Sequence, residues 1–188
     1  MRTPYNDNHD KTGIEGWYEI KSDTLVVYLE PTSGKMWPPS QDWITNYTGW
    51  IPVPLAYPDF SLGWCFAGYR KYAYWLAGMV QQIVADEQPQ NVLLIGYSMG
   101  GGIAQITGLI IEHNTDTPVR VVSIDGARTT TKLPHDMELL RNRGSVVADI
   151  PPWFKKAPET ILNETWRPMC VSHADYNINE IIEKEING

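Results

Sequence analysis

Apolar residues recur along the chain with two different periods, and those periods divide it into elements. Trp17–Ile20 and Thr24–Leu29 read as two strands joined by the turn signal Lys21-Ser22-Asp23. From Gly68 to Asp86 the apolar positions Tyr72, Trp75, Leu76, Met79, Val80, Ile83 and Val84 fall at helical spacing, and Gln88-Pro89-Gln90 ends the helix. Val92, Leu93, Leu94 and Ile95 then form a continuous apolar run, the pattern of a parallel strand covered on both faces. A second helix is expected from Met99 to Glu112, and Val119–Ile124 is a further buried strand. Helix, strand, helix and strand in succession predict an α/β fold with a mostly parallel central sheet flanked by helices. Beyond Asp125 the pattern weakens. Leu139–Asn142 and Met169–Val171 are candidate strands, and Ile178–Ile186 a closing helix.

Two stretches lack a period. Residues 1–13 are polar and read as an arm. Residues 31–62 are loop-rich, broken by Pro31, Pro38, Pro39, Pro52, Pro54 and Pro58, yet they carry Trp37, Trp43, Tyr47, Trp50 and Tyr57. So many large aromatics argue against disorder, and a long Pro-punctuated segment of this kind suits either a lid-like wall or packing against the body. Repeats and low-complexity tracts are absent, so 1–188 reads as a single domain.

Composition narrows the function classes. An apolar fraction of 43% and a charged fraction of 20% are those of a soluble globular chain. The net charge of −7, with no basic stripe, argues against a nucleic-acid partner, because phosphate affinity rests on Lys and Arg. No apolar run is long enough to span a bilayer, and the first residues lack an apolar signal core; a soluble, cytoplasmic protein is expected. Cys65 and Cys170 have no metal-ligand spacing and are expected as buried thiols, and no metal or other cofactor is implied.

The strongest chemical signal is Gly96-Tyr97-Ser98-Met99-Gly100-Gly101, set between the apolar strand and the second helix. This is a G-x-S-x-G elbow in the context it requires. A sharp strand-to-helix turn lifts the Ser98 hydroxyl clear of the sheet, and the two glycines let the backbone pass close by. The helix N-terminus offers N–H groups to a developing oxyanion, Met99 N–H first among them. The competing reading, a phosphate-binding turn, lacks both G-x-G-x-x-G and a following G-K-[ST]. Serine at its ordinary pKa needs a base. Of the four histidines, His9 lies in the polar arm, His113 at a helix end and His135 in a polar loop. His173 follows the apolar segment Met169-Cys170-Val171, late in the chain as a Ser-acid-His order requires. The acid is open among Asp125, Asp136 and Asp149, with Asp175 too near His173 in sequence to be a comfortable partner.

Collinear with the elbow, the chain resembles the class 3 (fungal-type) lipases of the α/β-hydrolase fold. The resemblance runs thinly over most of the chain. It covers Leu25–Leu29 followed by Glu30-Pro31-Thr32-Ser33 and Asp42-Trp43-Ile44-Thr45-Asn46, then Gly96–Gly101, Val121–Arg128, Val147–Pro152 and His173. It implies hydrolysis of carboxylic esters through an acyl-enzyme on Ser98, a lid over the nucleophile, and Thr32 as second oxyanion donor. A small-molecule or lipid ester is the implied substrate, with transient contact to a lipid surface. Glu30-Pro31 stands where the family has Arg-Gly. The family's acid opens an Asp-x-Val-Pro-x-Leu-Pro-Pro run; aligned on Pro151-Pro152 it falls on Ser145, and shifted by four residues it falls on Asp149. The expected triad is therefore Ser98, His173 and Asp149, with Asp125 as the alternative. A thioesterase or peptidase, or a binding domain that has lost its acid, would fit the same fold.

Overall fold

The computed structural model describes residues 1–6, 14–31, 51–57, 60–165 and 176–187. Seven strands form one sheet in the order β1 (Thr3–Asn6), β2 (Glu15–Lys21), β3 (Thr24–Leu29), β6 (Asn91–Tyr97), β7 (Val119–Ile124), β8 (Asp136–Asn142) and β9 (Glu159–Asn163). The first three run antiparallel to one another, and β3 through β9 are parallel. A separate hairpin pairs β4 (Pro52–Tyr57) with β5 (Phe60–Phe66) and leads into α1 (Ala67–Glu87). Helix α2 (Met99–Asn114) joins β6 to β7, and α3 (Ile178–Asn187) comes last among the described elements.

Strand periodicity explains the layers. Leu25, Val27, Leu29, Val92, Leu94, Val119 and Val121 share one buried cluster with Leu76 and Val80 of α1 and Ile103 and Ile110 of α2. Their neighbours Val26, Tyr28, Leu93, Ile95, Val122 and Ile124 point to the other face, against Ile181 and Ile182 of α3. The central strands are thus covered on both sides, as their unbroken apolar runs require. Two ion pairs, Lys21–Glu183 at 3.1 Å and Arg120–Glu185 at 3.0 Å, flank the docked α3.

The α/β architecture is as the sequence pattern predicts, and the hairpin of β2 and β3 turns where expected, with Ser22 and Asp23 at φ 50° and 62°. Three parts differ. Residues 3–6 of the polar arm form the edge strand β1, whose partner Trp17 stacks with Tyr28 and lies under the Arg2 guanidinium. Residues 52–57 and 60–62 of the loop-rich segment belong to the β4–β5 hairpin. There the prolines Pro52 and Pro54 sit on a two-stranded ribbon, where a missing N–H is tolerated. Strand β9 has no apolar period, because it lies at the sheet edge and is largely exposed. The candidate strand Met169–Val171 and the aromatics Trp37, Trp43, Tyr47 and Trp50 lie outside the described residues. Among those described, no helix is long and apolar enough to cross a membrane.

Candidate active site

The carboxyl ends of β3, β6, β7 and β8 meet at one edge of the sheet, where open parallel sheets assemble their sites. Register brings Leu29 beside Gly96, and Tyr97 beside Ile124. The ladder continues past the strands: Ser98 N–H donates to Ile124 O at 2.9 Å, and Asp125 N–H to Leu140 O at 2.7 Å. Ser98 and Asp125 therefore stand on adjacent strand ends.

Ser98 sits at φ 54° and ψ −116°, a backbone conformation that costs a residue with a side chain on the order of 1–3 kcal/mol. The surroundings enforce it. A Cβ on Gly96 would lie 2.3 Å from the Gly100 carbonyl oxygen, and one on Gly100 would lie 2.5 Å from the Glu30 carbonyl oxygen. These two glycines permit strand, helix and the segment after β3 to close on one another. Ser98 is half-buried at the sheet edge. The first helical bond of α2 runs from Gly102 N–H to Ser98 O at 3.1 Å. The amides of Met99, Gly100 and Gly101 therefore precede any intrahelical acceptor, which leaves that of Met99 suited to an oxyanion. Gln105 braces the turn beyond β7, donating to Ala127 O at 2.9 Å, and Thr129 donates to Gly102 O at 2.8 Å.

The two carboxylates that close the triad in the sequence reading stand in different surroundings. Asp149 ends a 3₁₀ turn, Val147–Asp149. Its Oδ2 lies 2.7 Å from Arg141 Nη1, while its Oδ1 is 3.3 Å from Arg128 Nη2 and 3.0 Å from Lys156 Nζ. Burial works to raise its carboxyl, but bonds and attraction from Arg141 and Lys156 outweigh that and hold it below the usual carboxylate value. Both oxygens of Asp149 thus face cations, an arrangement that the sequence expectation of a triad acid did not include.

Asp125 is fully buried and holds a positive φ of 48°. Ser145 Oγ donates to its Oδ2 at 2.5 Å. Tyr176 faces the Asp125 carboxylate, and its hydroxyl accepts from Asn142 N–H at 2.8 Å. Burial first, and then the Asp125 charge, push the phenols of Tyr97 and Tyr176 upward, so both stay protonated. The two rings meet edge-on, centroids 5.5 Å apart. His173 and Thr32 lie outside the described residues. Glu30, two residues before Thr32, packs on Gly100 as above, and Tyr176, three residues after His173, touches Tyr97 and Asp125.

Cys65 is buried, and burial pushes its thiol up to about 12. The described residues hold no cluster of His, Cys, Asp and Glu fit for a metal ion. A cleft of about 730 Å³ opens at the opposite edge of the sheet, lined by Thr24, Asn91, Val119 and Arg120 among others, away from the elbow.

No protein-family model and no curated protein sequence matches this chain. Its fold, however, is that of solved fungal lipases. The Lip2 lipase from Yarrowia lipolytica superposes with a TM-score of 0.63 at 15% identity, over 86% of this chain and 64% of that one. A triacylglycerol lipase from Penicillium expansum gives 0.61 at 14% identity, over 87% and 69%. A third, a triacylglycerol lipase described as having a serine protease triad at its catalytic centre, gives 0.58 at 16%, over 80% and 60%. The chain thus spans less than two thirds of the Yarrowia enzyme's length, and at these identities the likeness shows the fold alone.

Proposed function

We propose that this protein is a serine hydrolase that cleaves carboxylic esters through an acyl-enzyme on Ser98. One observation carries the reading: Ser98 is held at φ 54° between β6 and the N-terminus of α2, at the carboxyl edge of the sheet. A fold under no chemical demand would relieve that strain with glycine, whereas a nucleophile needs the side chain there. The likeness to triacylglycerol lipases is the supporting context, and lipid esters are the substrate class it favours, with transient contact to a lipid surface.

The steps follow acyl-transfer chemistry. The base, assigned to His173, removes the Ser98 proton as Oγ bonds to the ester carbonyl carbon. The carbonyl oxygen takes the negative charge and is met by Met99 N–H and by a second donor, assigned to Thr32. The carbon–oxygen bond to the alcohol then breaks, and the imidazolium returns its proton to the departing alkoxide. A water molecule, deprotonated by the same imidazole, attacks the acyl carbon. Ser98 leaves with that proton, and the free acid is released.

A fluorophosphonate probe tests this on the intact protein. Covalent labelling that Ser98→Ala abolishes, with ester turnover lost in parallel, is the expected result. Folded protein that resists the probe would mean a non-catalytic domain. Faster cleavage of anilides or thioesters than of matched oxygen esters would move the activity to a peptidase or thioesterase.

A further inference from the structure

We propose that Asp125, not Asp149, is the carboxylate that orients the catalytic imidazole: the acid has moved from the loop after β8 to the end of β7. This rests on the hydrolase reading above.

The lipase-like alignment on Pro151-Pro152 puts Ser145 where an acid is due. Ser145 follows β8 through the turn Asn142–Ser145, closed by Ser145 N–H donating to Asn142 O at 3.2 Å, with Gly144 at φ 98° as its third residue. From that turn the Ser145 hydroxyl reaches Asp125 Oδ2. The residue in the acid's place has lost its carboxylate, and it hydrogen bonds to a carboxylate from the next strand. Neighbouring strands are only about 4.8 Å apart, a gap that one aspartate side chain and one hydroxyl span. Two changes, acid to serine at 145 and an aspartate with positive φ at 125, thus compensate each other.

The surroundings fit the role. Among the described residues, the titratable and charged groups facing Asp125 include Tyr97 from β6, Arg141 from β8 and Tyr176 ahead of α3. The two phenols are neutral. Arg141 feels the Asp125 charge, yet it directs its hydrogen bonds to Asp149, Glu159 and Ser145 O. A buried carboxylate anchored by a hydroxyl donor is suited to face the imidazolium that forms during turnover. Tyr176 faces Asp125 and packs on Tyr97, the neighbour of Ser98, so the proposed acid and nucleophile share one edge of the sheet. His173, assigned as the base, precedes Tyr176 by three residues in sequence. Asp125 is a positioning residue, acting through the imidazole.

The experiment compares the full chain with Asp125→Asn, Asp149→Asn and the exchange Asp125→Ser with Ser145→Asp. Asp125→Asn is expected to lower kcat by ~10³–10⁴ with KM nearly unchanged. It should also move the acidic limb of kcat/KM down by about one pH unit, because the imidazole loses its anionic neighbour. Asp149→Asn should leave kcat within about threefold, the range of a substitution outside a catalytic unit. The exchange, which returns the carboxylate to position 145, should recover at least about tenfold over Asp125→Asn. A folded Asp125→Asn protein with kcat within about tenfold of the parent would overturn the proposal. Should that variant not fold, the exchange decides: folded and active supports the relocation, folded and inactive refutes it. Parent protein that no probe labels would remove the hydrolase reading itself. Parent and Asp125→Asn labelled at equal rates would remove only the acid assignment.

Discussion

Asp125 follows the end of β7 and Asp149 ends the 3₁₀ turn after β8, and their environments differ sharply. Asp149 is partly exposed and ringed by Arg128, Arg141 and Lys156. Asp125 is fully buried, with the Ser145 hydroxyl bonded to its carboxylate and the Tyr176 phenol facing it. A carboxylate bonded to several cations ties segments together. A buried carboxylate met by hydroxyls is better suited to the role proposed above, so the kinds of neighbour, and not the residue type alone, distinguish the two candidates.

The contrast can be broken in graded ways. The largest effect is the kcat loss on Asp125→Asn set out above. Next is Tyr176→Phe, which removes the hydroxyl that accepts from Asn142 N–H and faces the buried Asp125. A loss of about 1–3 kcal/mol in denaturant unfolding is expected, with reduced turnover. Asp149→Asn should cost about 1 kcal/mol, the scale of a partly solvated ion-pair network. Its pH dependence has a definite sign. The folded-state carboxyl is held below its ordinary value, so the stability it adds is present above about pH 4 and is lost as pH falls through the depressed value. The gap in Tm between parent and Asp149→Asn should therefore be widest near neutrality and close under acid. Smallest is the effect at the proposed nucleophile. Ser98→Gly should be more stable than Ser98→Ala by about 0.5–1 kcal/mol in thermal unfolding, since glycine accepts a positive φ freely, and both should be inert to the probe. Equal stabilities would mean that the elbow is not strained.

How much was legible in the sequence follows from where the information sits. The run Val92–Ile95 and the Gly96–Gly101 motif are contiguous, so strand, elbow and helix emerge from local pattern. β7 is equally plain, being apolar on both faces. The edge strands β1 and β9 are not, because an edge needs no apolar alternation. The hairpin of β4 and β5 hides behind prolines that a two-stranded ribbon tolerates. The proposed acid was harder to read for another reason. The case for Asp125 depends on which residue after β7 lies beside which residue after β8, a matter of register between strands, and on a positive φ at a residue other than glycine. Asp125 ending a buried strand was visible as a candidate; Ser145 reaching it was not. Thr32 rests on the family resemblance, and His173 on its place late in a Ser-acid-His order.

Helix α3 buries Ile181 and Ile182 against the far face of the sheet and carries Tyr176 just ahead of it. A polypeptide is made from its N-terminus, and its earlier parts fold first. The elbow and Asp125 therefore leave the ribosome well before the Tyr176 phenol that packs on Tyr97 and faces the aspartate. The docking of α3 thus comes late, and it closes the far face of the sheet behind the elbow.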